Sequence, residues 1–267
     1  MSTKIRNLSV EKTEAGDADF FIGDDSNTGT TYKITKQNLF SGISASIEGG
    51  GGLLKANTIL IANYQADFVD LKGHAYTSVG SPSISADKSP YSGGSSLYFP
   101  GSSYLQYSAS NDFQINADWL LESFVWLPSS YATNNTYATF INLKSSSLDI
   151  TLGLMRSGYN NNGIFKQFYA QVYSGSQSVE VSCYSINSAN FDAWNHVAMA
   201  RNGNGIYLFL NGVCQSIATI TNQPKFTSNP VISIGYSNGI PALSGAYIAG
   251  VRIKSFSVKV PTLPFLE

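Results

Sequence analysis

The chain has 267 residues, of which 12% are charged, and its formal net charge is −1; an ordinary soluble domain is about 25% charged. Proteins that bind nucleic acid carry a strongly basic surface, so this composition excludes nucleic acid as a partner. With 43% hydrophobic and 13% aromatic residues, the chain buries enough apolar surface to fold, which excludes intrinsic disorder. No apolar run approaches the roughly 18–20 residues of a membrane span, and residues 1–10 lack the apolar segment of a secretory signal. We therefore expect no membrane insertion.

Charge is concentrated at the N-terminus. The whole chain has 16 Lys and Arg and 17 Asp and Glu, and 11 of these charged residues lie within the first 36 positions. Four consecutive glycines, Gly49–Gly52, follow this shift in composition, and such a run acts as a flexible link. We therefore divide the chain into an N-terminal arm at 1–48, a glycine linker at 49–52, a main domain at 53–260 and a C-terminal tail at 261–267.

The arm contains two short strand patterns, Asp19–Asp25 and Thr30–Thr35, on either side of a turn-rich segment. Thr35 then caps a predicted short helix, Lys36–Phe40. About 25 ordered residues cannot bury a core of their own. We expect the apolar side chains of the arm to pack against the main domain, sister subunits or a partner; they are Phe20, Phe21, Ile22, Tyr32, Ile34, Leu39 and Phe40.

The main domain consists of short β-branched and aromatic runs separated by Gly, Ser and Asn, a pattern typical of an antiparallel sandwich, and it shows no helical periodicity. The predicted strands are Thr58–Ala62, Ser96–Pro100, Tyr104–Tyr107, Trp119–Leu127, Tyr137–Leu143, Ile150–Met155, Phe165–Tyr173, Ser178–Tyr184, Trp194–Arg201, Gly205–Leu210, Val213–Ile220, Val231–Gly235 and Ala246–Val258. The dipeptides Asn202-Gly203, Asn204-Gly205 and Asn211-Gly212 indicate type I′ hairpin turns, in which both residues need positive φ. About a dozen antiparallel strands imply two packed sheets.

One hairpin carries a family resemblance. Ala193-Trp-Asn-His-Val-Ala-Met-Ala-Arg201, followed by a turn and Ile206-Tyr-Leu-Phe-Leu-Asn-Gly-Val213, resembles the "W-x-H-V-A, turn, L-x-L-Y-V-D-G" hairpin of the concanavalin A-like, laminin-G-type jelly-roll family. Gly93–Phe99, Asp112–Pro128, Ile232–Gly235 and Tyr247–Ile253 are similar to further strands of that family, in family order. The resemblance implies an all-β fold: a two-sheet antiparallel jelly-roll sandwich preceded by a small docking arm.

The arm has a resemblance of its own. Asp17-Ala-Asp-Phe-Phe-Ile-Gly-Asp-Asp25 with Thr31-Tyr-Lys-Ile-Thr-Lys-Gln-Asn-Leu39 resembles a segment near the start of many bacteriophage tail-fibre and other virion proteins. Together the two resemblances imply a virion protein that is made in the cytoplasm of a host bacterium.

Catalytic groups are sparse. Related glucanases place their acids in a Glu-x-Asp-x-(x)-Glu strand, and Glu122 and Glu180 each stand without such acidic neighbours. No Gly-x-Ser-x-Gly nucleophile elbow is present. We interpret His196 as a hydrogen-bonded structural histidine and His74 as a turn residue, so we expect no enzymatic activity.

Metal ligands and cysteines are equally few. Asp67 and Asp70 are the candidate ligands for Ca²⁺, which laminin-G relatives often bind. However, Ala249-Gly250 stands where the family commonly has two acidic residues, so we expect no cofactor, with Ca²⁺ as the alternative. Cys183 and Cys214 are interpreted as buried thiols, with a single disulfide as the alternative.

Three loops combine tyrosine rings with amides, the chemistry that glycan sites use and that needs little charge. The candidate carbohydrate-binding residues are Tyr131, Asn134, Asn135, Tyr137, Tyr159, Asn160, Asn161, Asn162, Tyr236 and Asn238. Each of these residue types is also common in β-turns.

The sequence therefore predicts a bacteriophage virion protein of the tail-fibre or adhesin type. Its arm, residues 1–48, docks to other virion proteins, and its jelly roll recognises a host-surface glycan. The alternatives are a capsid decoration or head-fibre protein with a purely structural jelly roll, and a polysaccharide depolymerase. Near-zero net charge favours association, so we expect a homo-oligomer, a trimer by analogy with many fibres.

Overall fold

The fold was determined as a computed structural model, which describes residues 20–25, 30–35, 58–133, 137–160, 163–174, 178–183, 188–221, 225–237 and 243–256. The chain divides into two units, residues 1–56 and 57–267. In the first unit, β1 (Phe20–Asp25) pairs antiparallel with β2 (Thr30–Thr35). Both predicted strands of the arm are thus confirmed, whereas the predicted helix with Leu39 and Phe40 lies outside the described residues, as do the glycine linker and the tail.

The second unit is built almost entirely of strands, in the positions that the hydrophobic runs predict. They are β3 (Thr58–Ala62), β4 (Tyr76–Val79), β5 (Ser83–Ser85), β6 (Ser96–Phe99), β7 (Tyr104–Tyr107), β8 (Asp118–Trp126), β9 (Ala138–Lys144), β10 (Asp149–Asn160), β11 (Gly163–Tyr173), β12 (Ser178–Cys183), β13 (Trp194–Asn202), β14 (Gly205–Leu210), β15 (Val213–Thr219), β16 (Val231–Ile234) and β17 (Ala246–Phe256). Within the described ranges the helical segments are single turns, at Asn111–Phe113, Ser130–Thr133 and Ser188–Asn190. Only β4 and β5 were not predicted.

These strands form two antiparallel sheets. One has seven strands in the order β12-β11-β10-β9-β16-β7-β4. The other has eight, of which seven follow the order β15-β14-β13-β8-β17-β6-β5 and the eighth is β3. The strand β3 pairs with β17 beside the end of β6. Large apolar side chains from both sheets, among them Phe99, Trp119, Phe140 and Phe168, are at most 2% exposed and form one core. The prediction of a two-sheet jelly-roll sandwich is confirmed.

The hairpin turns follow the prediction at one place and depart from it at another. Asn211 and Gly212 have φ of 50° and 79° and join β14 to β15, as a type I′ turn requires. Between β13 and β14 the register pairs Asn202 with Gly205, so the turn residues are Gly203 and Asn204 and not either Asn-Gly dipeptide. Positive φ is adopted there by Gly203. Asn202 is the last residue of β13 and Gly205 is the first residue of β14. They pair with each other across the hairpin, so neither belongs to the turn.

Cys214 is a free and exposed thiol on β15, so the prediction that it is buried was wrong. The strand lies at the edge of the eight-stranded sheet, where alternate side chains have no second sheet covering them. The side chain of Cys183 lies outside the described part of the chain.

Candidate functional site

The outward positions of the seven-stranded sheet form a polar row that crosses every strand. In register from edge to edge, this polar face consists of Thr77, Gln106, Ser233, Asn142, Thr151, Gln171 and Glu180. The residues that alternate with them, such as Leu105, Leu143 and Val172, belong to the core. Because side chains on a strand alternate between the two faces, a polar outer surface follows directly from a buried apolar inner one.

The centre of the polar face is held together by its own hydrogen bonds. Gln106 Nε2 donates to Ser233 Oγ over 3.0 Å, and Asn142 Nδ2 donates to Thr151 Oγ1 over 2.9 Å and to Asp149 Oδ1 over 2.6 Å. Asn142, Thr151 and Ser233 are at most 5% exposed. The polar groups at the centre of the face are therefore already hydrogen-bonded to one another. A ligand of this face would be bound by the residues around them.

Two of the predicted loops meet at one end of this sheet, and β10 extends past the same end. β10 runs antiparallel to β9, pairs Leu154 with Ala138 at the start of β9, and continues past it to Asn160. β16 also runs antiparallel to β9, so the residues after it lie at the same end. Thr139 Oγ1 donates to Ser237 Oγ over 3.1 Å, which joins the two loops directly. The segments that contain Tyr137 and Tyr236 therefore lie together, whereas β10 places Tyr159 five residues beyond its last pair with β9.

Gln167 is the chemically most informative residue at this end. Because Leu154 pairs with Ala138, the preceding Tyr137 stands level with Met155, and Met155 pairs with Gln167. Gln167 is 5% exposed, and its Oε1 atom has no hydrogen-bond donor among the described residues. A buried carbonyl oxygen without a donor costs about 1–3 kcal/mol. Among the described residues, this oxygen therefore lacks the donor that a buried carbonyl oxygen usually has.

Four tyrosines lie at this end of the seven-stranded sheet. Tyr137 is 39% exposed, and the rings of Tyr104 and Tyr236 stack with centroids 4.5 Å apart and an interplanar angle of 19°. Tyr169 pairs with Gly153, and the missing side chain of that glycine leaves room for the tyrosine ring. Burial raises the pKa of Tyr169, so the phenol stays protonated at neutral pH. We call Thr139, Ser237, Gln167 and the four tyrosines Tyr104, Tyr137, Tyr169 and Tyr236 the sheet-end site.

The sequence-predicted site residues divide into three groups. Tyr137 and Tyr236 are part of the sheet-end site. Tyr131 is 5% exposed and its hydroxyl accepts a hydrogen bond from the Ser244 N–H over 3.0 Å, so this ring belongs to the core and offers no exposed face. Tyr159 and Asn160 are placed by their strand pairing alone, and the remaining predicted residues, Asn134, Asn135, Asn161, Asn162 and Asn238, lie outside the described residues.

The sequence analysis missed Gln167, Tyr169, Thr139 and Tyr104. A signal for two of them was present: on β11 the polar and aromatic positions Gln167, Tyr169, Gln171 and Tyr173 alternate with Phe168, Ala170 and Val172. The alternation assigns Gln167 and Tyr169 to the outer face but does not indicate which other strands lie beside them.

One of the two isolated acids, Glu122, has structural partners on the opposite sheet. Glu122 is 4% exposed, accepts a charged hydrogen bond from Arg252 and lies 3.0 Å from His196 Nε2. Burial raises the pKa of Glu122, but the bonds from His196 and Arg252 outweigh it, so the pKa is lowered. The interpretation of His196 as a hydrogen-bonded structural histidine is confirmed.

The two candidate Ca²⁺ ligands accept backbone hydrogen bonds. Asp67 Oδ1 accepts from the Val69 N–H over 3.0 Å, and Asp70 Oδ1 accepts from the His74 N–H over 2.7 Å. Within the described part of the chain, no three His, Cys, Asp or Glu side chains form a metal-binding group. The same residues contain no helix long and apolar enough to cross a membrane.

Three solved structures with a similar fold are 13–16% identical to this chain. The binding domain of botulinum neurotoxin serotype D aligns with a TM-score of 0.58 and 13% identity, over 76% of this chain and 48% of the other. The receptor-binding domain of botulinum neurotoxin mosaic serotype C/D gives 0.57 and 14%, over 76% and 48%. Domain 4 of AbnA, an extracellular arabinanase from Geobacillus stearothermophilus, in complex with arabinotriose, gives 0.52 and 16%, over 74% and 93%. This chain thus spans about half of the two toxin domains.

A search of curated protein sequences finds none that matches this chain. The profile of the concanavalin A-like lectin/glucanases superfamily, in its laminin G form, matches residues 99–259. This range contains β7 through β17, which is most of both sheets, and every residue of the sheet-end site. The chain belongs to the concanavalin A-like lectin/glucanases superfamily.

Proposed function

We propose that the sheet-end site binds a glycan. The observation that carries this proposal is the buried Oε1 atom of Gln167, which has no donor among the described residues and lies level with the exposed ring of Tyr137. A sugar supplies a hydroxyl donor for the amide oxygen and a C–H face for the aromatic ring. Apolar surface with a few placed polar groups is the usual composition of a small-molecule site. The arabinotriose complex of the similar arabinanase domain supports the choice of ligand class.

The proposal is tested by presenting the full chain to a glycan array and measuring the affinity of the best ligand. We expect Tyr137→Ala and Gln167→Leu each to weaken binding by about tenfold, which corresponds to about 1.4 kcal/mol. Gln167→Leu removes an unpaired buried oxygen, so its stability should not fall. Tyr173→Ala is the matched control, because this tyrosine is 49% exposed on the same strand but pairs with Asp149 near the opposite end of the sheet. An array without binding, or equal losses in the control, contradicts the proposal.

At the level of the whole chain we propose a bacteriophage virion protein of the tail-fibre type. The arm would dock to other virion proteins and the jelly roll would face the host surface. This rests on the resemblance of Asp17–Leu39 to virion proteins, and a homotrimer is proposed with it. Labelling of the particle separates this role from a capsid decoration protein, since a tail protein and a head protein are found at different places.

We further propose that the protein binds glycan without cleaving it. The polar face carries Asp149 and Glu180 as its described carboxylates, and Asp149 is bound by Lys144 and Asn142 and so is poorly suited to proton transfer. Release of reducing sugar from host polysaccharide would contradict this and would favour a depolymerase.

A further inference from the structure

The outer face of the eight-stranded sheet carries a row of aromatic side chains on four adjacent strands. Tyr98 on β6 pairs with Tyr247 on β17. Tyr247 pairs in turn with Trp126 on β8, which pairs with Trp194 on β13. The next residue inward along β8, Val125, belongs to the core, so the paired aromatic residues lie on the opposite, outer face. We call Tyr98, Tyr247, Trp126 and Trp194 the aromatic row.

Phe124 extends this aromatic surface toward the centre of the sheet. It precedes Trp126 by two residues on β8 and so lies on the same face. The Tyr91 ring meets it edge-on, with centroids 5.8 Å apart, and a Cβ atom at Gly250 would lie 2.6 Å from the Tyr91 hydroxyl. Burial raises the pKa of Tyr91 to about 12, so at neutral pH this hydroxyl can donate a hydrogen bond.

Two cations lie beside Phe124 on the neighbouring strand. Arg252 and Lys254 are two positions apart on β17, so both project from the outer face, and we call them the cationic pair. Arg252 directs its Nε and Nη2 groups to Oε1 of the buried Glu122. A guanidinium has five N–H donors, and within the described ranges its Nη1 group is not used. Since the side chain is 31% exposed, these donors can reach a ligand.

Lys254 has no carboxylate partner among the described residues. Burial and the adjacent Arg252 lower the pKa of Lys254, and attraction to Glu122 offsets them only in part. Asp118, the other acid of β8, accepts a hydrogen bond from the Gly203 N–H over 2.7 Å at the end of the strand. Two cations therefore share one carboxylate, and this part of the face is locally positive.

The charges at the aromatic row itself are balanced. Lys88 Nζ lies 4.5 Å from the centroid of the Trp126 ring, a cation–π contact. The next residue along the chain, Asp87, acts on the nearby Tyr247 and raises its pKa, after burial and Tyr98. The excess of positive charge thus belongs to the cationic pair, and the row contributes apolar ring surface.

Ring surface and unpaired cations together fit a sugar chain that carries carboxylates. The C–H face of a sugar ring packs on an aromatic ring, and a carboxylate forms strong charged hydrogen bonds with guanidinium and ammonium groups. Adjacent strands are about 4.7–4.9 Å apart, close to the length of one sugar unit, so successive rings of the row suit successive sugars. An acidic peptide offers the charge without this regular series of rings.

We propose that the outer face of the eight-stranded sheet binds an acidic polysaccharide, with its sugar rings on Phe124 and the aromatic row and its carboxylates at the cationic pair. The Tyr91 hydroxyl donates to a sugar oxygen. This surface and the sheet-end site lie on opposite sheets, so the inference does not depend on the function proposed for that site.

Binding of the full chain to immobilised polysaccharides by biolayer interferometry tests the inference. The acidic probes are polygalacturonate, alginate and hyaluronate. Methyl-esterified polygalacturonate has the same rings without the charge, and poly-L-glutamate has the charge without the rings. We expect binding to at least one acidic polysaccharide, at least about tenfold tighter than to either of these two controls, as one charged hydrogen bond provides.

The variants separate this face from the rest of the molecule. Lys254→Gln should weaken binding by about tenfold, and Phe124→Leu, which removes a ring but keeps an apolar side chain, should weaken it severalfold. Lys225→Gln is the matched control: it removes the same charge from an exposed position beside Ser147, in the turn between β9 and β10. Tyr137→Ala, in the sheet-end site, should also leave the affinity unchanged.

Four results would overturn the inference. They are no binding to any of the three acidic polysaccharides, equal binding to either the methyl-esterified or the peptide control, equal losses in Lys225→Gln and Lys254→Gln, and a loss in Tyr137→Ala as large as that in Lys254→Gln. The last would place the acidic ligand at the sheet-end site. Circular dichroism of each variant checks its fold, and Lys254→Gln, a change at a partly exposed position, keeps the test valid if Phe124→Leu fails to fold.

Discussion

At the scale of single residues, Glu122 shows how a chain with few charges uses one of them in its interior. The carboxylate lies on β8 and bonds to His196 on β13 and Arg252 on β17, so it connects three adjacent strands of the eight-stranded sheet. The side chains of His196 and Arg252 are 24% and 31% exposed, which leaves both partners partly hydrated. Loss of the carboxylate charge would leave the Arg252 guanidinium without its acidic partner.

This arrangement predicts a loss of stability in acid. The pKa of Glu122 is lower in the folded chain than its ordinary value of 4.5. Its contribution to stability is therefore fully present above about pH 4.5 and is lost as the pH falls through the lower folded value. We expect Glu122→Gln to cost about 2–3 kcal/mol at pH 7, below the about 3–5 kcal/mol of fully buried pairs because the partners are partly hydrated. Urea unfolding between pH 3 and pH 7 measures both effects; equal pH dependence in wild type and variant would contradict the assignment.

Gly153 is required by the sheet-end site for steric reasons. A Cβ atom at this position would collide with the carbonyl oxygen of Ala138 and lie 2.9 Å from the Tyr169 ring. We expect Gly153→Ala to destabilise the fold by about 1–3 kcal/mol through overpacking and to weaken glycan binding by displacing Tyr169. Gly101→Ala is the control, because a Cβ there meets nothing within 4 Å. Thermal unfolding and glycan affinity, measured on both variants, test this; equal behaviour of the two would contradict it.

At the scale of secondary structure elements, strands with a buried face could be predicted and strands without one could not. β14 alternates between buried and half-buried residues, and β8 and β13 each contain five consecutive buried residues; the bounds of all three agree with the prediction to within one residue. β4 is exposed along its whole length, so no hydrophobic periodicity indicates it, and pairing with β7 alone makes it a strand. Tertiary pairing overrides weak local preference there.

The candidate site was predictable in part for the same reason. Tyr137 and Tyr236 follow from loop composition, but their proximity depends on the placement of β16 beside β9, strands separated by more than 80 positions. Gln167 is of interest because no described residue donates a hydrogen bond to its Oε1 atom. That property depends on which strands lie beside β11, so the sequence does not predict it. Tyr131 differs from the other tyrosines because the single helical turn Ser130–Thr133 directs its ring into the core. The composition of the loop is the same around buried and exposed tyrosines, so it does not predict this burial.

At the scale of the whole molecule, the described outer face of the seven-stranded sheet consists mainly of amide and hydroxyl side chains, and few of its side chains are charged. Amides and hydroxyls are not screened by salt. We therefore expect glycan binding at the sheet-end site to change little between low salt and about 0.5 M salt. A surface of this kind suits recognition of uncharged sugars in media of varying composition.

The division of the chain predicts the behaviour of a truncated protein. Deletion of residues 1–48 removes the arm and leaves every strand of the unit at 57–267 in place. We expect the remaining chain to fold and to bind glycan as the full chain does, but not to enter phage particles. Circular dichroism, glycan affinity and particle incorporation measure the three parts of this expectation. Full incorporation of the truncated chain would contradict the docking role of the arm.

The placement of β17 has a consequence for how the protein is made. This strand, Ala246–Phe256, lies between β8 and β6, so the last strand of the domain fills an interior position of the eight-stranded sheet. Until it has left the ribosome, β8 and β6 cannot be joined and each presents an unpaired edge, which is a template for aggregation. Folding of that sheet therefore cannot be completed before β17 is synthesised, and a premature stop shortly before Ala246 would leave an open interior edge between β8 and β6.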